Sequence, residues 1–97
     1  MEREAIEEWL SWRVHDEVLL ADGFDEAFIG ITEREKMPPV ALYDRMKCVY
    51  ILMERDGMNL KDAIEFFEFN TLSAWVGEMT PAYATLVAEE EINVATH

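Results

Sequence analysis

The sequence predicts a small α+β domain, an N-terminal helix and an αα corner packed on a two-stranded β-hairpin, with a third short strand near residues 83–87. Three observations carry this expectation. Apolar residues recur at spacings of three and four through Ala5, Ile6, Trp9, Leu10 and Trp12, and again through Cys48, Val49, Leu52 and Met53, the mark of helices that bury one face. Two short apolar runs, "AFIGIT" and "MPPVALYD", flank the charged stretch "EREK", as strands flank a connecting loop. The chain has 97 residues, enough for one modest core and too few for two, so residues 1–97 are read as a single domain.

The first helix is expected over residues 3–14. It has room to continue through "DEVLLA" until Asp22-Gly23 stops it, because glycine accepts the left-handed cap conformation. Strands follow at 27–32 and 39–43. Pro38 and Pro39 exclude helix at the start of the second run, and Gly30 inside the first strand indicates a bulge or a close backbone approach. Asp44 is positioned to cap a helix over 45–55, its carboxylate accepting from the free N–H groups of the first turn. Gly57 ends that helix. Asn59 then caps the next, over 60–75, with Asp62 three residues on completing a box-like arrangement.

The segment from Gly57 to Pro81 combines Phe66, Phe67, Phe69 and Trp75 with the acids Asp62, Glu65, Glu68 and Glu78, and its single base is Lys61. On a regular helix from Leu60, the residues Leu60, Ile64, Phe67, Thr71 and Ala74 share one side, which makes Phe67 a core anchor. Asp62, Glu65 and Glu68 turn away from that side, as a solvated face should. Phe69, Leu72 and Val76 also turn away, so the second half of the helix is apolar on two sides. Either the N-terminal helix or the C-terminal segment covers this outer stripe, or it meets another chain, a twin across a two-fold axis being one version.

Twenty-one acids against eight bases leave a net charge of −13, and no lysine or arginine follows Lys61. Such a field repels phosphate backbones and attracts basic surfaces. Direct nucleic-acid binding is therefore not expected, and the αα corner fails as a helix-turn-helix reader on charge. The single Cys48 rules out an intramolecular disulfide. The N-terminal "MEREAIEEWLSWR" is acidic where a secretory signal is basic, and no apolar run approaches the roughly 20 residues that span a bilayer. The expected location is cytoplasmic, with no membrane contact.

Chemistry is thinly represented. Asp62, Glu65 and Glu68 stand three apart, and such carboxylates can hold Mg²⁺ or Mn²⁺ when a second helix supplies further acids, for which Glu54 and Asp56 are the nearby candidates. That spacing alone is a weak motif, so a metal-dependent enzyme is only the competing reading. His15, His97 and Cys48 do not make a zinc set, neither Ser11 nor Ser73 lies in a nucleophile elbow, and no glycine-rich phosphate loop exists. No catalytic residue, metal ligand or cofactor is assigned. Arg34, Lys36, Arg45 and Lys47 form the one basic region and are expected to pair with neighbouring acids.

The stretch "AWVGEMTPAY", residues 74–83, offers Trp75 and Tyr83 as large apolar groups with polar handles, either for interaction or to tuck the chain back onto the sheet. The sequence thus reads as a non-enzymatic protein-binding module. Its candidate partner-binding residues are Asp62, Glu65, Glu68, Phe69, Leu72, Trp75, Val76, Glu78 and Tyr83, and the expected partner is a basic protein surface. A self-associating structural subunit is a further alternative.

"DEAFIGI", "PPVALYDRMKC", "RDGMNLKDAIEFFEFN" and "AWVGEMTP" together resemble a family of small uncharacterised proteins encoded by bacteria and bacteriophages. The shared pattern is a strand ending in I-G-I, a Y-D pair opening a helix, then G-M-[ST]-x-E-E-A-x-E-[FY]-F-x-[FY]-N and G-E-x-T-P. The resemblance spans Asp25 to Pro81; Asn59 stands where Ser or Thr is usual, and Ser73 where Gly is. It implies a shared fold and a phage or prophage context, and no activity. Charge and that implied context give one concrete version of the function, inhibition of a host nucleic-acid-handling or defence protein, in the manner of an anti-CRISPR or other anti-defence protein, by occupying a basic groove.

Overall fold

The computed structural model describes residues 1–14 and 17–88. Helix α1 (Arg3–Ser11) is followed by an irregular strap, a single 3₁₀ turn (Asp25–Ala27), the hairpin strands β1 (Phe28–Thr32) and β2 (Val40–Asp44), helices α2 (Arg45–Asp56) and α3 (Leu60–Phe67), a π-helical segment (Glu68–Leu72) and strand β3 (Ala82–Ala84). The architecture is the α+β arrangement expected, with three strands in the order β1-β2-β3.

β1 and β2 pair antiparallel with a register shift between Phe28 and Gly30. Gly30 has φ +148° and open space where a Cβ would stand, so the glycine serves a bulge and not a close approach. β3 runs parallel to β2, with Tyr43 opposite Tyr83. Parallel strands need a long crossover. The αα corner is that crossover, and this is why two helices separate β2 from β3 in sequence.

The caps form as their residue types dictate. The Asp44 carboxylate accepts from the Lys47 N–H at 3.3 Å, and the Asn59 side-chain oxygen accepts from the Asp62 N–H at 2.8 Å. Gly57 closes α2 at φ +69°. Among the described residues the Asp62 side chain makes no return bond to Asn59, so only half of the expected box is present.

Two expected helices are shorter in the structure. α1 stops at Ser11, and Glu17 to Ala21 carry no helix where a continuation was expected. Tertiary bonds hold this strap instead. The Ala21 N–H donates to the Tyr43 hydroxyl oxygen at 2.8 Å, Arg3 bridges to Asp25 at 3.0 Å, and an Arg55 guanidinium N–H donates to the Gly23 carbonyl at 2.8 Å. Trp12, counted with the buried stripe from spacing alone, lies beyond the helix and is 81% exposed.

The third helix was expected to reach residue 75, but its α-helical part ends at Phe67. In the π segment that follows, the Asn70 amide donates to the Phe66 carbonyl at 3.1 Å, and the Ser73 hydroxyl donates to the Phe69 carbonyl at 2.6 Å. Side-chain donors that compete for backbone carbonyls loosen helical register. The inward face is therefore Ala63 and Phe67, both fully buried, with Ile64 and Thr71 half-buried. Leu60 and Ala74, expected in the same stripe, are exposed.

The core gathers Ile6 and Leu10 from α1, Phe24, Ala27 and Phe28, Ala41 and Tyr43, Cys48, Val49 and Leu52 from α2, and Ala63 and Phe67. A row of five rings threads it, one from each of α1, β1, β2, β3 and α3. Trp9 meets Phe28 edge-on at 6.0 Å, Phe28 meets Tyr43 edge-on at 5.7 Å, Tyr43 stacks on Tyr83 at 5.7 Å, and Tyr83 meets Phe67 edge-on at 5.1 Å. The three strand residues in this row are cross-strand neighbours, so sheet register and ring packing enforce each other.

Candidate functional site

Among the described residues, the end of α3 and the chain that follows it carry several of the most exposed large apolar side chains. Phe69 is 79% exposed, Trp75 74% and Val76 65%, and Leu72 is exposed as well. These side chains do not form one stripe, because the helix ends before Val76. They divide among three grooves.

The first groove lies on the outer side of α3. It is shallow, about 390 Å³, and is lined by Met58, Asp62, Glu65, Phe66, Phe69 and Asn70. The second, about 420 Å³, lies between the hairpin loop and the returning chain, where Leu72, Trp75 and Glu78 face Arg34, Met37 and Pro38. The third, about 500 Å³, sets Val76 and Tyr83 against Leu19, Leu20 and Phe24 of the strap.

Local bonding explains how the turn that carries Val76 and Glu78 is held. The Thr80 hydroxyl oxygen accepts from the Val76 N–H at 2.9 Å while its own proton is donated to the Gly77 carbonyl at 2.6 Å, and the Thr80 N–H donates to the same carbonyl at 3.1 Å. Gly77 sits at φ +105°, a conformation that side-chain-bearing residues avoid. One hydroxyl thus staples a five-residue turn, which gives the glycine and the threonine of G-E-x-T-P a physical role. Ser73, at φ −82°, does not need glycine's freedom.

Charge is distributed unevenly along the acidic helix. Glu68 is bridged to Arg45 at 2.8 Å, and the Arg45 guanidinium lies 5.6 Å from the centre of the Phe67 ring. Asp62 and Glu65 are exposed and, among the described residues, make no ion pair. Of the four basic residues expected to pair with acids, Arg45 does so, while Arg34, Lys36 and Lys47 show no pair among the described residues. No three His, Cys, Asp or Glu side chains among the described residues stand close enough to share a metal ion. Asp56 is engaged by Arg55 at 3.1 Å, away from the α3 carboxylates.

Tyr83, grouped with the partner-binding residues from its sequence context, is half-buried in the aromatic row and takes the structural tuck. Its phenol is pushed up to about 12 by burial, with Cys48 and Tyr43 adding to the effect. Burial, and next the Asp44 charge, push the Cys48 thiol up to about 12, so it packs as an apolar group and not as a nucleophile. His15 and His97 lie outside the described residues. Among the described residues no helix is long and apolar enough to cross a membrane.

Sequence reasoning missed Phe66 and Met58, which line the first groove, and Arg34, Met37 and Pro38, which face Trp75. Phe66 follows Asp62 by four residues, so helical spacing alone could have joined it to the acidic face. The hairpin residues carried no such signal, because they meet Trp75 only through the tertiary fold. Comparison with family models, with curated proteins and with solved structures finds no match to this chain.

Proposed function

We propose that this protein is a non-enzymatic protein-binding module whose partner presents a basic surface. The observation that carries the reading is the conjunction in one segment of exposed Phe69, Leu72, Trp75 and Val76 with the carboxylates of Asp62 and Glu65, which are exposed and make no ion pair among the described residues. Exposed apolar side chains on ordered backbone, Phe69 in the π-helical segment and Val76 in the Thr80-stapled turn, lose less freedom on binding than residues of a disordered segment. The net charge of −13 contributes long-range attraction to a cationic partner and repulsion from nucleic acid. In a phage or prophage setting, occupation of a basic groove on a host nucleic-acid-handling or defence protein is the concrete form of this function.

Affinity capture from a bacterial lysate, run in parallel with wild type and with Trp75→Ala and Phe69→Ala variants, tests the reading. The expected result is a basic protein retained by wild type, released by raised salt and depleted in at least one variant. Capture that is identical for all three baits would refute it.

A further inference from the structure

We infer that the groove on the outer side of α3 is a receptor for an arginine side chain on an extended or helical segment of a partner protein. This deepens the protein-binding reading and rests on it. The molecule already holds one arginine in the way proposed. Arg45 donates to the Glu68 carboxylate at 2.8 Å with its guanidinium 5.6 Å from the Phe67 ring centre, so a carboxylate and an aromatic ring from successive residues of one helix share one planar cation. The sequence "DAIEFFEF" offers the same pair of groups again on the other side of the helix, where Asp62 and Glu65 line a groove together with Phe66 and Phe69.

That second constellation has no cation of its own among the described residues. Neither Asp62 nor Glu65 is bridged, although Lys61 lies four residues before Glu65, and no arginine or lysine follows Lys61 in the chain. Phe69 is 79% exposed and Phe66 is also exposed, so ring faces are accessible beside two carboxylates. A guanidinium satisfies both at once, because it is planar, stacks on aromatic faces and forks onto carboxylate oxygens, whereas an ammonium offers only a compact charge. Met58, which also lines the groove, supplies an adaptable apolar contact for a neighbouring aliphatic residue of the ligand. A second copy of this chain is the poorer occupant, since it would bring another net charge of −13 against the same acidic face.

The test is an NMR titration of the isotope-labelled full chain with a capped arginine–leucine peptide, beside its lysine and citrulline counterparts. Saturable shifts confined to Met58–Asn70 are expected with the arginine peptide, weaker binding with lysine and none with citrulline. Phe69→Ala should weaken the arginine complex about two- to fivefold, the scale of one solvent-exposed cation–π contact. The double variant Asp62→Asn, Glu65→Gln should abolish the preference for arginine over citrulline. These side chains are exposed, and unchanged amide spectra elsewhere would show the variants folded. Equal binding of arginine and lysine peptides, unaffected by Phe69→Ala, would reduce the site to charge adsorption and overturn the inference. So would shifts centred on Trp75, or concentration-dependent shifts of the same face without peptide. If no peptide binds while capture from lysate remains sensitive to Trp75→Ala, the arginine receptor is wrong and the binding module stands. If capture responds to neither Trp75→Ala nor Phe69→Ala, the module reading itself fails.

Discussion

Phe67 and Tyr83 meet edge to face, with ring centroids 5.1 Å apart and an interplanar angle of 87°. This contact fastens the buried end of α3 to the short parallel strand β3, and through the stacked Tyr43 to the centre of the sheet. It also separates two phenylalanines only two residues apart, since Phe67 is fully buried and Phe69 is among the most exposed side chains.

Phe67→Ala should therefore cost about 3–5 kcal/mol, the range for deletion of a buried aromatic, while Phe69→Ala should stay within about 0.5 kcal/mol. Urea denaturation of both variants measures this directly. Equal losses would mean that the inward face of α3 has been assigned to the wrong side.

Tyr43→Phe removes the acceptor for the Ala21 N–H while keeping the ring in its row. A global loss of about 0.5–1.5 kcal/mol is expected, and the Ala21 amide should lose hydrogen-exchange protection ahead of the α2 core. Unchanged protection at Ala21 would show that the strap is held by Arg3 and Arg55 alone.

Alkaline pH should destabilise the protein. Burial raises the Tyr83 phenol from 10.0 to about 12 and the Cys48 thiol from 9.0 to about 12, and Tyr43 shifts in the same direction for the same principal cause. Each group holds its proton more tightly folded than unfolded. The stabilisation is thus complete below the unfolded values and is lost as pH rises through the folded ones. Stability should fall from about pH 9 towards pH 12, and Tyr83→Phe together with Cys48→Ala should flatten that slope. A flat profile to pH 11 in wild type would contradict the burial of these groups.

The three acids of α3 should behave differently in binding. Glu68 is already neutralised by Arg45, in a bridge between partly exposed side chains, so Glu68→Gln should cost no more than about 1 kcal/mol of stability and change association little. Neutralising Asp62 and Glu65 should slow association with a basic partner and flatten its salt dependence, whereas Trp75→Ala should speed dissociation. Surface plasmon resonance on the captured partner separates these effects. An equal slowing by all three acids would mean that net charge, and not position, governs encounter.

The sequence by itself determined the features that are settled within a few residues of chain. Asp44, Asn59 and Gly57 cap their helices because carboxylate, amide and glycine chemistry act on adjacent backbone, whereas at Gly30 the sequence admits a bulge or a close approach and the strand register decides for the bulge. Periodicity sufficed to identify Ile6, Leu10, Val49, Leu52 and Phe67 as core. The tertiary structure decided what depends on partners far away along the chain. The strap from Glu17 to Ala21 exchanges helix for a bond to Tyr43, 22 residues from Ala21, and Tyr83 takes a place in the ring row while still lining the third groove beside Val76. Phe69, Trp75 and Val76 divide among three grooves because the α-helical part ends at Phe67 and the π segment ends at Leu72, where Asn70 and Ser73 bond the Phe66 and Phe69 carbonyls. Helical projection assumes an unbroken α-helical period, and here the period changes after Phe67 and the helix stops at Leu72, so the projection no longer describes Trp75 and Val76.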